Sequence, residues 1–249
     1  MDLELKGRVA LVTGSSRGIG EAIARTLQQE GCQVVLNGRD ANHLADCAKR
    51  LGLAGVVGDM TLEADAQAVV QHVVAQYGSL DILVCNVGSG ASVPPGQEDG
   101  REWERMLGLN LHPAINAVAA SRTALGASKG VALCISSICG SAALGAPLAY
   151  SAAKSALNSY VRGISRVLAR EGVRINALSP GNIIFEGSSW DAKVRANQQA
   201  VQAMLDHEVA LRRLGSAQEI ADVAAFLCSP KNSFMTGEVV VVDGGQLRS

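Results

Sequence analysis

The sequence predicts an α/β protein built on a doubly wound parallel sheet, and three features support this prediction. Seven short apolar runs rich in β-branched residues recur along the 249 residues, and helical patterns lie between the first four of these runs. Hydrophobic residues make up 48% of the chain and aromatic residues only 3%, which suits buried strands with closely packed helices. No repeat, low-complexity tract or linker divides the chain, so we expect a single domain over residues 1–249.

The seven predicted strands lie at residues 8–13, 33–37, 54–58, 80–86, 131–136, 173–179 and 238–243. Between the first four, apolar residues recur at helical spacing over residues 19–29, 41–51 and 63–77. Asp40 and Thr61 are the expected N-caps of the second and third of these helices. Strand–helix–strand units of this length predict right-handed crossovers and helices on both faces of the sheet.

Two segments interrupt this alternation. Residues 87–100 are predicted to form a flexible loop after the fourth strand, and residues 181–215 form a long segment outside the sheet after the sixth strand. Both leave from the carboxyl ends of strands, which is the edge where open α/β sheets bind ligands. The second segment is long enough for a small helical lid over a substrate site.

Composition and charge exclude several classes of function. The net charge is −1 and no block of basic residues occurs, so neither nucleic acid nor a membrane surface is an expected partner. The first residues do not resemble a signal peptide, and every apolar run is too short to cross a bilayer. The six cysteines show no CxxC spacing and the four histidines are scattered. We therefore expect reduced thiols, a cytoplasmic protein and no metal site.

The stretch TGSSRGIG follows the first strand and opens a helix, with glycines at positions 14, 18 and 20. Glycine permits positive φ and lets a phosphate approach the backbone closely. The free N–H groups of the following helix favour an anion. A turn that only serves packing is the alternative, but the strand–turn–helix context favours dinucleotide binding.

The stretch LAYSAAK places Tyr150 and Lys154 four residues apart, on one face of a helix. A tyrosine with a pKa near 10 is a poor base at neutral pH. An ammonium group about 4 Å away supplies about 4 kcal/mol at an effective dielectric constant near 20, enough to lower that pKa by about three units. The alternative is a half-buried tyrosine beside a lysine that extends to solvent.

Together these motifs resemble the short-chain dehydrogenase/reductase family, whose members have a Rossmann fold. CNVG (85–88) is similar to the NNAG motif of the family, with Cys85 and Val87 as departures. SPGNI (179–183) resembles its PG motif, and TGEVVVVDGG (236–245) resembles its last strand. The resemblance spans nearly the whole chain. Among the members of the family, the sequence resembles those that reduce 3-oxoacyl groups on acyl carrier protein.

The resemblance implies four catalytic residues. Tyr150 would be the general acid in reduction and the base in oxidation, while Lys154 would lower its pKa and bind the nicotinamide ribose. Ser137, which lies 13 residues before Tyr150, would donate a hydrogen bond to the substrate oxygen. Asn110 would hold a water for proton transfer, unless it is a mid-helix residue that faces solvent. Ser136 is the alternative to Ser137, because adjacent strand residues face opposite ways.

The resemblance also marks residues that would bind the nicotinamide cofactor, in the glycine turn and after the other strands. They are Gly14, Ser16, Arg17, Gly18, Ile19, Gly20, Asn37, Arg39, Asp59, Met60, Asn86, Gly88, Tyr150, Lys154, Pro180, Gly181 and Ile183. After the PG motif the family often has a threonine that bonds the nicotinamide carboxamide, where this chain has Ile184 and Phe185.

The end of the second strand, LNGRD, favours NADP(H) over NAD(H). An acidic residue there bonds the ribose of NAD, whereas an arginine accommodates the 2′-phosphate of NADP. Asn37 stands where the acid would be, and Arg39 and Arg17 offer two guanidinium groups. Asp40 lies near the usual position of a ribose-binding acid, but it also fits a helix N-cap.

A ketone or secondary alcohol with an apolar body is the expected substrate. The candidate pocket residues are mostly apolar: Val87, Ser89, Val93, Cys139, Leu144, Asn182, Phe185 and Trp190. Phe185 and Trp190 either form the inner face of the lid or only pack between lid and sheet. The small residues that follow Tyr150 in the helix permit close helix pairing, and the resemblance implies a homotetramer or a homodimer.

Three alternatives remain open at this point. A 3-oxoacyl-[acyl-carrier-protein] reductase would need a basic rim, for which the candidates are Arg101, Arg105, Arg195, Arg212 and Arg213. A dinucleotide-binding protein without catalysis would not need the catalytic residues. A third possibility is non-redox chemistry, such as dehydration or epimerisation, with a bound cofactor.

Overall fold

The computed structural model describes residues 2–248, which contain a central parallel sheet of seven strands. The strands of the chain are β1 (Val9–Val12), β2 (Gln33–Gly38), β3 (Ala54–Val57), β4 (Ile82–Cys85), β5 (Val131–Ile135), β6 (Arg174–Pro180), β7 (Ile183–Ile184), β8 (Gly215–Ser216) and β9 (Val239–Val242). The sheet order is β3-β2-β1-β4-β5-β6-β9, so the chain winds outward from β1 in both directions. The predicted fold class, an α/β Rossmann-type fold with a doubly wound sheet, is confirmed.

Helices connect the strands over the same described residues. They are α1 (Gly18–Gln29), α2 (Ala41–Leu51), α3 (Glu63–Tyr77), α4 (Gly100–Asn110), α5 (His112–Ser128), α6 (Leu148–Ala169), α7 (Ser189–Ala196), α8 (Gln198–Glu208) and α9 (Ala217–Cys228). A 3-10 turn over Ile138–Gly140 follows β5. Between residues 2 and 248 the structure has no helix with both the length and the apolar character that a bilayer crossing requires.

Apolar side chains alternate between the two faces of the sheet. In β1, Ala10 and Val12 pack with residues of α1, α2 and α9. Val9 and Leu11 face the other way and pack with residues of α3, α5 and α6. The strands are therefore covered on both faces, which explains why their sequences are apolar runs without a polar alternation.

The helix ends test two predictions from the sequence. The Asp40 side chain accepts hydrogen bonds from the N–H groups of Asn42 and His43, both at 3.0 Å, so its role as the N-cap of α2 is confirmed. The prediction for Thr61 is wrong, because Leu62 is the N-cap of α3. The Thr61 hydroxyl instead donates to Asp59 Oδ1 at 2.8 Å.

The segment 181–215 rises from the carboxyl edge of the sheet and contains α7 and α8. Its two ends meet as β7 and β8, a short parallel pair in which Ile183 lies opposite Gly215. The helices enclose a small apolar cluster of their own, formed by Val201, Leu205 and Val209. Strands of two residues give no periodic signal, so the sequence did not predict this pair.

Candidate active site

The glycine turn lies between β1 and α1, against the end of β4. Gly14 has a φ of +59° and Gly18 a φ of +62°, values that side chains rarely adopt. A Cβ at Gly20 would lie 2.6 Å from the Gly14 carbonyl oxygen and would also collide with the Asn86 amide. These glycines are therefore required by the turn itself, which brings β1, β4 and α1 within contact distance.

The start of α1 fits the phosphates of a dinucleotide. Its N-cap, Arg17, makes no side-chain capping bond, so the N–H groups of the first turn remain available to an anion. Asn86 fastens the neighbouring strand end, since its amide donates to the Gly14 carbonyl at 2.8 Å. Its backbone N–H also donates to the Thr13 hydroxyl at 3.0 Å.

Tyr150 lies in the first turn of α6 beside the Ser137 hydroxyl. Burial raises the pKa of Tyr150 to about 12, and a hydrogen bond with Ser137 acts in the opposite direction. The other serine, Ser136, faces away and donates to Asn158 Oδ1 at 2.6 Å. Of the two serines that the sequence left open, the structure brings only Ser137 to the phenol.

Lys154 is buried one helical turn further along α6. Its ammonium donates to the Ile135 carbonyl at 2.8 Å and lies 6.0 Å from the centroid of the Tyr150 ring. Burial lowers the pKa of Lys154 to about 8. The expected lowering of the Tyr150 pKa by this ammonium needs correction, because burial is the largest influence on that pKa and moves it upward.

Asn110 ends α4 and is 1% exposed, which excludes the reading as a solvent-facing residue in mid-helix. Its side-chain oxygen accepts from the Ser89 N–H at 2.9 Å, and its amide donates to the Ser89 carbonyl at 3.1 Å. A Cβ at Gly88 would lie 2.8 Å from the Asn110 oxygen and 3.3 Å from the Lys154 nitrogen. Glycine at 88 therefore allows the loop after β4 to pass close to both side chains.

Asn37 does not lie as expected. It is fully buried, and its amide donates to the carbonyls of Val56 and Gly58, both at 3.1 Å. The next residue, Gly38, lies between α2 and the glycine turn, because a Cβ there would lie 3.7 Å from the Leu44 side chain and 3.8 Å from the Ser16 Cβ. The position beside the glycine turn is therefore Gly38, one residue after the predicted Asn37, and it carries no acidic side chain.

Arg39 and Asp59 lie at the carboxyl ends of β2 and β3. The Arg39 guanidinium is exposed, with one nitrogen 4.0 Å from Asp59 Oδ2. Asp40 is occupied as the helix cap, which favours the N-cap reading over a ribose contact. Met60, next to Asp59, is 1% exposed, so its side chain belongs to the core.

The PG motif and the lid segment begin directly after β6. A Cβ at Gly181 would lie 2.8 Å from the Asp243 Cα. The backbone at Gly181, directly after β6, therefore packs closely against the backbone that follows β9. Ile183 is buried in β7. Phe185 follows, and its ring would lie 2.6 Å from a Cβ at Gly18, so the lid touches the glycine turn through this ring.

The candidate substrate residues divide into two groups. Cys139 and Val87 lie near the site, since Cys139 donates its N–H to the Ser137 hydroxyl and Val87 touches Gly14. Trp190 does not, because it packs against the lid cluster with the Lys193 ammonium 4.3 Å from its ring. Asn182 lines a separate cavity of about 100 Å³ between lid and β9.

Gly90 is a residue of the site that no sequence pattern indicated. A Cβ at this position would lie 3.8 Å from the Tyr150 ring. A single glycine in a loop rich in small residues carries no signal that distinguishes it. Within residues 2–248 the structure places no group of three or more His, Cys, Asp or Glu side chains that could hold a metal ion.

Comparisons with known proteins agree with this geometry. The family model described as "Enoyl-(Acyl carrier protein) reductase" matches residues 14–246. Oxidoreductase asL5 from Sarocladium schorii is 34% identical over 244 residues, which cover 97% of this chain and 96% of that protein. The 3-oxoacyl-[acyl-carrier-protein] reductase FabG from Escherichia coli (strain K12) is 32% identical over 246 residues, or 98% of each protein.

A solved structure extends the agreement to three dimensions. L-sorbose reductase from Gluconobacter frateurii, complexed with NADPH and L-sorbose, superposes with a TM-score of 0.93 at 28% identity over 100% of both chains. The fold and site define an NAD(P)-dependent oxidoreductase that acts on CH–OH or C=O groups. The chain belongs to the short-chain dehydrogenase/reductase family, as its motifs predicted.

Proposed function

We propose that the protein interconverts a ketone and a secondary alcohol with NADP(H), and that Tyr150 exchanges the proton with the substrate oxygen. One observation carries this proposal: Tyr150, Ser137, Lys154 and Asn110 converge at the carboxyl edge of the sheet, beside the glycine turn. That combination supplies a proton donor, a hydrogen-bond donor and a buried cation next to a phosphate-binding helix end.

Bound nicotinamide would supply the hydride in reduction and accept it in oxidation. In the direction of reduction, Tyr150 donates its phenolic proton to the carbonyl oxygen as negative charge develops there. The Ser137 hydroxyl donates a second hydrogen bond to the same oxygen and stabilises that charge. In oxidation the same two groups act in reverse, with Tyr150 as the base.

Lys154 and Asn110 are proposed to assist the proton transfer through the ribose of the cofactor and a water. The Lys154 ammonium is fixed by the Ile135 carbonyl, which leaves its other two N–H groups for the ribose of the cofactor and for a water. The Asn110 oxygen lies near this ammonium, since a Cβ at Gly88 would approach both atoms. Asn110 would hold the water through which the proton of Lys154 reaches solvent.

A preference for NADP(H) is supported by charge at the end of β2. The exposed Arg39 lies beside Gly38, where no acid is present to bond a ribose 2′-hydroxyl. The Arg17 guanidinium lies toward the lid segment instead, 3.9 Å from a Cβ placed at Gly187, so Arg39 alone supplies this charge. L-sorbose reductase, a similar structure, holds NADPH.

An acyl-carrier-protein substrate is the second candidate, favoured by the likeness to FabG. The proposed basic rim is weak, however, because three of its five arginines are paired with carboxylates. Arg105 pairs with Glu102, Arg195 with Asp191 and Arg213 with Glu219. Paired arginines attract an acidic carrier protein less, so a free ketone or alcohol with an apolar body is the better proposal.

We further propose a single domain with the segment 181–215 as a substrate lid, in a cytoplasmic homotetramer. All six cysteines are free thiols, which suits a reducing compartment. β9 is an edge strand with Val241 40% exposed, and the nearby Phe234 is fully exposed. Apolar groups of this kind on a sheet edge favour pairing with a second copy.

The test is a panel of ketones, secondary alcohols and 3-oxoacyl thioesters, followed at the absorbance of reduced nicotinamide with both cofactors. The proposal expects turnover of at least one free ketone or alcohol, with kcat/KM higher for NADPH than for NADH. Turnover of the carrier-bound thioesters alone would support the second candidate. Cofactor binding without turnover of any compound would support the non-catalytic alternative, and substrate conversion without change in absorbance would indicate non-redox chemistry.

A further inference from the structure

The polar contacts behind Ser137 form a network that takes no part in the roles described above. Ser136 donates to Asn158 Oδ1 at 2.6 Å, and the two residues are 5% and 2% exposed. The Asn158 amide donates to the Gly140 carbonyl at 3.3 Å and to the Ser141 hydroxyl at 3.4 Å. One buried side chain therefore joins the end of β5 to the far end of the turn that begins at Ser137.

This turn has little freedom to move independently of α6. A Cβ at Gly140 would lie 2.7 Å from the Lys154 carbonyl carbon, so the turn packs directly on the helix backbone. Within the turn, the Gly140 N–H donates to the Ser137 carbonyl at 2.9 Å. The Cys139 N–H donates to the Ser137 hydroxyl oxygen at 3.2 Å.

Asn158 is also the third member of a polar series on α6. Tyr150, Lys154 and Asn158 follow one another at intervals of four residues, which places them along one side of the helix. Tyr150 reaches Ser137, and Lys154 reaches the Ile135 carbonyl. Asn158 accepts a hydrogen bond from Ser136, which lies between Ile135 and Ser137. Three side chains of α6 therefore contact three consecutive residues at the end of β5.

We propose that Asn158 and Ser136 are a positioning pair that holds the Ser137 hydroxyl beside the Tyr150 phenol. The inference rests on the proposed function of Tyr150 and Ser137. The pair acts through the turn and touches neither substrate nor cofactor. If the pair is lost, the turn can shift against α6, and a displacement of about 1 Å at a reacting group can cost about a hundredfold in rate.

A purely structural role is the competing explanation, since any buried hydrogen bond contributes to stability. Two variants separate these roles. Asn158→Leu leaves the Ser136 hydroxyl buried without its acceptor, whereas Ser136→Ala/Asn158→Leu removes both partners and recovers part of the lost stability. Asn232→Leu is the matched control: Asn232 is 5% exposed and donates to the Leu227 carbonyl at 3.3 Å, after α9 and away from the site.

The experiment measures kcat and KM on a substrate from the panel, the NADPH dissociation constant, the melting temperature and the ¹³Cζ resonance of Tyr150. The chain has only 3 tyrosines, so this resonance is identified by its loss in Tyr150→Phe. We expect kcat to fall about tenfold or more in both Asn158 variants, with NADPH affinity unchanged. The Tyr150 resonance should shift in both, and the control should lose stability only.

An unchanged kcat with an unshifted Tyr150 resonance in Asn158→Leu would overturn the positioning role. So would a kcat that recovers together with the melting temperature in the double variant. A wild-type protein that turns over no compound in the panel would instead contradict the proposed function. In that case the Tyr150 resonance alone decides about the pair, because it reports the contact with Ser137 without any turnover.

Discussion

Burial acts on the two titratable residues at the centre of the site in opposite directions. It raises the pKa of Tyr150 to about 12 and lowers that of Lys154 to about 8, because both residues lose the solvation of their charged forms. At neutral pH the phenol therefore carries its proton, as a donor to a carbonyl oxygen must. Lys154 remains mostly an ammonium below pH 8, so it still provides a positive charge near the ring.

Lys154→Met should change how the free energy of unfolding depends on pH. The unfolded lysine has a pKa near 10.4, so between about pH 8 and pH 10.4 the unfolded chain binds more protons than the folded one. The contribution of Lys154 to stability is thus largest above that window and falls as the pH drops through it. The variant, relative to the wild type, should gain roughly 3 kcal/mol as the pH falls from 10.5 to 7.5.

Urea unfolding of both proteins at pH 7.5 and 10.5, at one fixed protein concentration, measures this difference. Lys49→Met, on the exposed side of α2, is the control for the loss of a lysine. A free-energy difference between variant and wild type that does not change with pH would show that Lys154 is not held in a desolvated position.

At the scale of elements, two serines with the same capping chemistry stabilise two different kinds of helix, one in the lid segment and one on the main apolar core. Ser188 caps α7 in the lid segment, and its hydroxyl oxygen accepts from the N–H groups of Asp191 and Phe185 at 3.0 and 3.2 Å. Ser216 caps α9, which packs on the main apolar core, through a reciprocal capping box with Glu219. The lid helices pack mainly on their own small cluster.

Ser188→Ala should therefore loosen the lid without a large effect on the sheet. We expect faster amide hydrogen exchange over residues 185–197, because the cap and the bond to Phe185 are both lost. Ser216→Ala should instead lower the free energy of global unfolding by about 1 kcal/mol. Equal effects of the two substitutions on the melting temperature, with no local change in amide exchange, would contradict the claim that the lid loosens independently of the sheet.

The elements also show where prediction from sequence succeeds. The apolar runs and the helical spacing located the seven strands of the central sheet and the first three helices within two residues, because tertiary packing reinforces both patterns. Thr61 was misassigned as a cap because α3 begins one residue later than a cap at Thr61 requires, with Leu62 at the N-cap position. Asn37 was misplaced because neighbouring strand residues face opposite sides, so an error of one position exchanges a buried residue for one at the glycine turn.

At the scale of the molecule, the order of motifs along the chain was enough to predict a doubly wound sheet with its functional edge. Strand ends that are far apart in sequence meet there, as the contact of Asn86 with Gly14 shows, and α6 reaches the same edge through the contact of Lys154 with Ile135. Distances within the site were less predictable. The ammonium of Lys154 lies 6.0 Å from the Tyr150 ring centroid, because the Ile135 carbonyl draws it toward β5.

The measurement that tests the central claim most directly is the turnover of Tyr150→Phe beside that of Tyr160→Phe, which loses the same hydroxyl ten residues further along α6. On a ketone that the wild type reduces, Tyr150→Phe should lose about a thousandfold in kcat, the range expected for a general acid, while binding NADPH within a few-fold of the wild type. Tyr160→Phe should keep its activity. Wild-type turnover in Tyr150→Phe would show that the phenol does not carry the proton.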